Sequence, residues 1–320
     1  KCHDMEISDH LLAIARAGAG VNNIPIDRMT EKGVVVFNTP GANANAVKEL
    51  VICGMLVASR NVIDGVLWAR SLRGSEDLSK LVEKGKSQFK GPELKGKTFG
   101  VIGLGAIGVL VANAAEALGM NVIGFDPYLS VNSALHLSGK VKIASVLEDL
   151  LKQADYITVH VPLMEETKNY ISAPEFEKMK DGVMLLNYAR DGIVNESALK
   201  KALVEGKVAK YITDFPDEEL LNMDNVICIP HLGASTPESE ENCAIMAASE
   251  LREYIEKGSI KNSVNMPTCI LGAPAGYRLT LIHKNLPNMV GQMTAILASE
   301  GLNIEEMTNK SRGDIAYTVF

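Results

Sequence analysis

Three side chains in the second half of the chain have the types and placement for proton-coupled redox chemistry at a hydroxyl-bearing carbon. Arg190 follows the apolar run Val183-Met184-Leu185-Leu186-Asn187. Glu218 falls in the loop after a run ending at Ile212, and His231 follows Val226-Ile227-Cys228-Ile229-Pro230. A histidine can take a hydroxyl proton near neutrality because its ordinary pKa lies there. A neighbouring carboxylate would raise that pKa and fix the tautomer, and an arginine fork would hold a substrate carboxylate and carbonyl oxygen. Each residue alone has a plainer reading: a capping arginine, a solvated acidic loop (Asp217-Glu218-Glu219 is a charge run), a packed histidine. Their recurrence at three consecutive strand ends favours the catalytic reading. His160, inside Thr158-Val159-His160-Val161-Pro162, reads instead as a packed strand residue.

The elements that must position these groups are written in the hydrophobic pattern. Strands are expected near residues 98–103, 121–125, 156–161, 183–187, 209–212 and 226–229, with helices at 106–118, 145–152, 173–179 and 196–204. Strand and helix alternating at these lengths predict a doubly wound parallel sheet, whose ligands sit outside the carboxyl ends of the strands. Before it, residues 9–16 are expected to be helical, 33–37 a buried strand and 47–68 helical, with 74–97 a polar, lysine-rich connection. After it, 238–257 is an amphipathic helix ended by Gly258. Residues 269–276 read as a linker into a separate small α+β unit, with a strand from Arg278, a helix over 287–300 and further strand material.

The turn after the first strand of that sheet is the most specific signal. Gly103-Leu104-Gly105-Ala106-Ile107-Gly108 joins strand to helix, and Asp126 closes the next strand 18 residues beyond Gly108. This is the dinucleotide fingerprint in its full context. Gly103 makes the tight turn, Gly105 lets backbone approach a pyrophosphate, and Gly108 lets helix pack on strand. Ala106, Ile107 and Gly108 open a helix whose free N–H groups face the negative charge. Asp126 would accept the adenosine ribose hydroxyls and repel a 2′-phosphate, so the expected cofactor is NAD.

Composition sets the bounds. The 320 residues suffice for two or three domains, and 47% hydrophobic with 22% charged residues is ordinary for a globular protein. A net charge of -7 argues against a general affinity for nucleic acid, and no apolar run is long enough for a membrane span. The five cysteines lack a C-x-x-C spacing, so neither a disulfide framework nor a metal site follows. Reduced thiols in a cytoplasmic protein are the expectation. The opening residues read as a domain entered midway and Ala316-Tyr317-Thr318-Val319-Phe320 as a strand cut short, so a fragment truncated at both ends is expected.

Taken together these residues resemble the D-2-hydroxyacid dehydrogenase family, over nearly the whole chain. Ala15-Arg16-Ala17-Gly18-Ala19-Gly20-Val21-Asn22-Asn23 is similar to the family's substrate-carboxylate loop, in which the Ala19 and Gly20 N–H groups bind substrate and Ala19 also borders the cofactor. Asn38-Thr39-Pro40-Gly41-Ala42-Asn43 with Glu49 resembles the loop entering the nucleotide domain, with Asn43 contacting substrate. His231-Leu232-Gly233-Ala234-Ser235-Thr236 is similar to the catalytic-histidine motif, and Arg190 and Glu218 match the arginine and glutamate. By the same matching Val161, Pro162, Tyr188, Ala189, Asp214, Gly233 and Ala234 line the cofactor. The resemblance implies a Rossmann domain over 44–233, inserted in a smaller flavodoxin-like substrate domain made of 1–43 and 234–268.

The tail over 277–320 resembles part of an ACT regulatory domain. Family members carrying that tail act on 3-phosphoglycerate, which is the implied substrate. L-serine is the implied effector, held by His283, Asn285 and Asn303. The same three residues also fit a strand-end turn and a capping asparagine. A homodimer or homotetramer is implied as well. The chain departs from the family pattern at Asp191, which stands where glycine is usual, at Asn288, again for glycine, and at Thr213, which takes the place of the cofactor-side aspartate with Asp214 one position later. The family's substrate-binding arginine-serine pair would precede Lys1. A glyoxylate or hydroxypyruvate reductase is the alternative within the family, and a non-catalytic NAD-sensing binding protein the alternative outside it.

Overall fold

Ala13-Ile14-Ala15-Arg16 forms a strand, β1 (Ala13–Arg16), in the computed structural model, which describes residues 2–320. The helix expected over 9–16 is therefore not formed. A short apolar run carries no period that separates helix from buried strand, and pairing settles the matter: β1 lies parallel to β2 (Val35–Asn38), reached through the short helix α1 (Ile26–Glu31). The β2 residues Val35, Val36 and Phe37 are fully buried, as the continuous apolar run of a covered parallel strand requires.

The region read as one helix over 47–68 is two, α2 (Ala44–Ser59) and α3 (Val62–Ser71), broken where Asn61 takes a left-handed φ of 49°. The polar connection that follows contains α4 (Leu78–Gly85) and a 3-10 turn at Lys86–Phe89. The main sheet is then laid down by β3 (Thr98–Ile102), α5 (Ala106–Ala117), β4 (Asn121–Phe125), α6 (Val131–His136), β5 (Lys142–Ile143), α7 (Leu147–Gln153), β6 (Tyr156–Val159), α8 (Ala173–Lys178), β7 (Val183–Asn187), α9 (Glu196–Val204), β8 (Val208–Thr213) and β9 (Val226–Cys228). The order across the sheet is β5-β4-β3-β6-β7-β8-β9, with every pair parallel. Strand order reverses at β3, which has β4 on one side and β6 on the other, so the switch point lies at the carboxyl end of β3. Two clusters fill the two faces, one around Leu150, Ile157, Ile171 and Leu185, the other around Val51, Met55, Phe99, Val101 and Ile212. Each such side chain, fully buried, contributes about 1.5–3 kcal/mol.

The chain continues into α10 (Pro237–Lys257), stopped by Gly258 at φ 69° with its N–H on the Tyr254 carbonyl. The last elements are β10 (Thr280–Lys284), α11 (Met289–Ser299), β11 (Thr308–Arg312) and β12 (Ile315–Val319), forming an antiparallel sheet in the order β10-β12-β11. Two compact units result, Ala44–Thr236 and Lys1–Asn43 with Pro237–Phe320. The C-terminal sheet, expected to stand alone, shares a core with the first strands: Tyr317 and Val319 join Val35, Phe37, Ile260 and Met266. The Tyr317 hydroxyl donates to the Gly258 carbonyl at 2.7 Å, and Arg312 donates to the Ser263 carbonyl at 2.9 Å. Asn265 clips β2 directly, accepting the Val36 N–H and donating to the Val34 carbonyl, both at 2.9 Å. Among the described residues no single helix is long and apolar enough to cross a membrane.

Candidate active site

The glycine turn sits at the switch point, and its three glycines answer to three different demands. Gly103 has φ 91°, and a Cβ there would lie 2.9 Å from the His160 carbonyl carbon, so the turn is seated on the backbone leading to Val161 and Pro162. At Gly108 a Cβ would meet the Gly103 carbonyl oxygen at 1.9 Å, which fixes how closely α5 approaches β3. Gly105 has φ -75°, and nothing in the protein lies within 4 Å of where its Cβ would be. Neither backbone nor neighbours demand glycine at that position, and the open space faces the start of α5, where the Ala106 and Ile107 N–H groups lack intrahelical acceptors. That cradle fits a pyrophosphate.

Asp126 is aligned with it. One carboxylate oxygen accepts the Leu104 N–H and the other the Tyr128 N–H, both at 2.8 Å. A carboxylate has lone pairs for further bonds, so Asp126 is oriented and still able to receive ribose hydroxyls.

The three catalytic candidates all belong to the 44–236 unit and follow strand ends on the same edge. Arg190 comes three residues after β7. The loop there is shaped by Asn187, buried, whose side chain accepts the Ala189 N–H at 3.1 Å and donates to the Arg190 carbonyl at 2.9 Å. Sequence reasoning passed over Asn187, although an amide at a strand end before a turn is a recognisable signal. Arg190 itself is exposed and donates to the Ala189 carbonyl at 2.7 Å. Its guanidinium keeps further donors free for an anion.

His231 lies just beyond β9, exposed, in a left-handed conformation with φ 54°. Such a backbone is uncommon for histidine and marks a position held by its surroundings. Phe215 presses edge-on against its ring, the centroids 5.0 Å apart. Glu218 is exposed in the same loop as Phe215, and among the described residues no hydrogen bond or ion pair joins it to His231.

Two residues expected to line the cofactor have other occupations. The Tyr188 ring belongs to the core, its hydroxyl buried without a hydrogen-bond partner and pointing at α2, where a Cβ on Gly54 would be 2.1 Å from it. Burial drives its pKa far above the ordinary tyrosine range. Only the backbone of Tyr188 and the adjoining Ala189 remain at the edge. Asp214 is 1% exposed, and its two carboxylate oxygens accept the Leu232 and Gly233 N–H groups at 2.7 Å each. The carboxylate is turned onto the histidine loop rather than outward. Gly233 is buried against it, and Ala234 packs at the margin of the core.

His160 is a packed residue, as its strand context implies. Its Nε2 lies 3.0 Å from the Thr158 hydroxyl and its Nδ1 is sealed without a partner. Burial pushes its pKa down from 6.5 to about 3. The unfolded chain then binds the proton between those values and the folded one does not, so this residue's contribution to stability is present above the ordinary histidine value and lost as pH falls towards 3. Urea unfolding across that window is expected to show stability rising with pH by up to about 1.4 kcal/mol per unit from this group. His160→Gln should flatten that slope, and an unchanged slope would refute the assignment.

In the other unit, the loop carrying Ala19 and Gly20 is braced from β2. The Gly18 N–H donates to the Thr39 hydroxyl at 2.7 Å and the Asn38 side chain to the Ala19 carbonyl at 2.7 Å. Carbonyls are thereby tied back while the Ala19 and Gly20 N–H groups hold no hydrogen bond among the described residues. Asn43 occupies the turn directly before α2. The expected effector residues lie in the C-terminal elements. His283 has both ring nitrogens engaged, with the Lys284 carbonyl and the Thr318 hydroxyl at 2.8 Å each. The Asn285 side chain donates to the Gly313 carbonyl, and Asn303 is exposed.

Comparison with known proteins agrees with this geometry. Residues 54–233 match the family described as D-isomer specific 2-hydroxyacid dehydrogenase, NAD binding domain. The chain is 40% identical over 269 residues to D-3-phosphoglycerate dehydrogenase of Methanocaldococcus jannaschii, covering 82% of this chain and 49% of that protein. It is 38% identical over 262 residues to hydroxypyruvate reductase of Thermotoga maritima, covering 79% of each. The structure of NAD+-bound 3-phosphoglycerate dehydrogenase from Entamoeba histolytica superposes with a TM-score of 0.64 at 31% identity, covering 80% of this chain and 76% of that one. The chain spans about half the length of the first curated relatives it matches.

Proposed function

Because the chain belongs to the D-isomer specific 2-hydroxyacid dehydrogenase family, we propose that it serves a dehydrogenase that oxidises the 2-hydroxyl of 3-phosphoglycerate to 3-phosphohydroxypyruvate. The observation that carries this reading is the left-handed turn presenting His231 on the same sheet edge as Arg190 and the Gly103–Gly108 cradle. His231 takes the hydroxyl proton as the C2–O bond gains double-bond character. Arg190 holds the substrate carboxylate and the forming carbonyl oxygen. Glu218, in the loop after β8, is the carboxylate proposed as the partner of His231 in the working site. Asp126, Gly105 and the start of α5 would hold NAD, which supplies a hydride acceptor when bound.

The names of the relatives support 3-phosphoglycerate as substrate, and with it a step at the entry to serine synthesis. Hydroxypyruvate reduction is the second reading, favoured by the evenly shared coverage with the Thermotoga maritima protein. A protein that only senses NAD would need Asp126 and the glycine cradle but neither Arg190 nor His231. The C-terminal sheet is proposed as a regulatory element for L-serine, in a homo-oligomer where a second copy completes the pocket.

The test is an assay of the full-length protein against a panel of 2-hydroxy and 2-keto acids, with NAD and NADP, and with L-serine added in a parallel series. NAD is expected to be strongly preferred. Hydrogen bonds to a charged group are worth about 1.5–3 kcal/mol, so Asp126→Ala should lower kcat/KM with NAD by about one to two orders of magnitude. Equal use of both cofactors by the unmutated protein would overturn the cofactor assignment, and turnover of hydroxypyruvate alone would select the second reading. Unaltered rates in serine would remove the regulatory part.

A further inference from the structure

Three consecutive backbone N–H groups around the candidate base converge on one buried residue. The His231 N–H is shared between the Ile229 carbonyl at 2.9 Å and the Asp214 carbonyl at 3.0 Å, the Leu232 N–H donates to one Asp214 carboxylate oxygen at 2.7 Å, and the Gly233 N–H to the other at 2.7 Å. Asp214 is in turn fixed to the neighbouring strand, its own N–H donating to the Asn187 carbonyl at 3.1 Å. Asn187 is the residue that shapes the Arg190 loop. One short chain of bonds thus runs from the arginine loop to the histidine turn.

Successive N–H groups pointing to one centre form an anion-binding concavity, here filled by a side chain of the protein itself. The fit is close. A Cβ on Gly233 would stand 2.9 Å from an Asp214 carboxylate oxygen, so a side chain at 233 would press on the carboxylate where it receives the two amides. Phe215, the next residue, restrains the His231 ring from its edge. Burial pushes the Asp214 carboxyl up, opposed by the bonds from Gly233 and Leu232 and by the nearby His231. Among the described residues no lysine or arginine is paired with Asp214. The backbone amides are therefore its main polar partners, and the carboxylate is their acceptor.

We propose that Asp214 is the positioning residue for His231: its carboxylate holds the 231–233 turn in the left-handed form that presents the imidazole. The proposal takes His231 as the general base, and so rests on the dehydrogenase reading. It assigns Asp214 to the histidine loop, and not to contact with the cofactor.

The experiment uses full-length Asp214→Ala, Asp214→Asn, His231→Ala and the Asp214→Ala/His231→Ala double variant. Misplacing a catalytic group by about 1 Å costs on the order of 100-fold, so kcat of Asp214→Ala should fall by about that factor while the NADH dissociation constant holds. Asp214→Asn keeps one acceptor oxygen and should recover part of the loss. In the His231→Ala background, removing Asp214 should cost nothing further, because its contribution acts through the missing imidazole. Equal losses in both backgrounds, or weakened NADH binding with kcat retained, would overturn the assignment. Amide hydrogen exchange separates this from failure of the dehydrogenase reading. The Leu232 and Gly233 amides should be protected in the unmutated protein, both lose protection in Asp214→Ala, and one of them lose it in Asp214→Asn, whatever substrate the protein turns over. Unchanged protection in the variants would overturn the clamp even in an active enzyme. A protein inactive on every 2-hydroxy acid would overturn the dehydrogenase reading and, with it, the catalytic purpose assigned to the clamp.

Discussion

Replacing His231 with alanine is expected to lower kcat by about two to four orders of magnitude, the usual contribution of a positioned general base, with NADH binding left intact. The side chain is exposed at the carboxyl edge of the sheet, so its removal opens no cavity and should not perturb folding. Its turn is held through main-chain N–H groups, which alanine retains, although φ 54° adds some strain for any non-glycine residue. NADH titration by fluorescence and turnover by absorbance separate the two effects. Added imidazole should restore part of the rate by filling the vacated space with a diffusible base. Normal turnover in His231→Ala would mean that the proton leaves by another route and that the site has been misread.

The second large effect concerns two glycines only three residues apart. Gly108→Ala places a methyl group 1.9 Å from the Gly103 carbonyl oxygen. Backbone on both sides leaves nothing flexible to yield, so α5 must shift. Overpacking of this kind costs about 1–3 kcal/mol or more, and both melting temperature and NADH affinity should drop. Gly105→Ala meets nothing within 4 Å and has an ordinary φ. Its melting temperature should stay near that of the unmutated protein, while NADH binding weakens because the methyl group enters the space left for the pyrophosphate. Scanning calorimetry with NADH titration on both variants gives the comparison. Full NADH affinity in Gly105→Ala would remove the cradle from the cofactor site.

The sheet was legible because buried parallel strands leave continuous apolar runs between helices, and the glycine turn because ligand and packing each impose a fixed spacing. What escaped was decided by contacts distant in sequence. Residues 11–15 are apolar without a period, and only pairing with β2 makes 13–16 a strand. In α4, Lys80, Glu83 and Lys84 masked the helical spacing of Leu78, Leu81 and Val82. Tyr188 looked like a cofactor-lining residue because nothing local reveals that Gly54, on a helix far back in the chain, leaves room for its ring. The resemblance placed Asp214 beside the cofactor, and its bonds to the histidine loop escaped notice because its partners are backbone amides after the following strand, which carry no sequence signature.

The division into a contiguous unit and one assembled from both ends of the chain bears on the order of biosynthesis. Everything the Ala44–Thr236 unit needs has been translated once Thr236 is added, and domains fold as units during synthesis. The first strands have no such independence. Asn265, which bonds the β2 backbone, and Tyr317, which shares its core, are made only after the whole 44–236 unit. Val35 and Phe37 therefore lack their final neighbours until synthesis has passed Tyr317, long after the 44–236 unit has everything it needs.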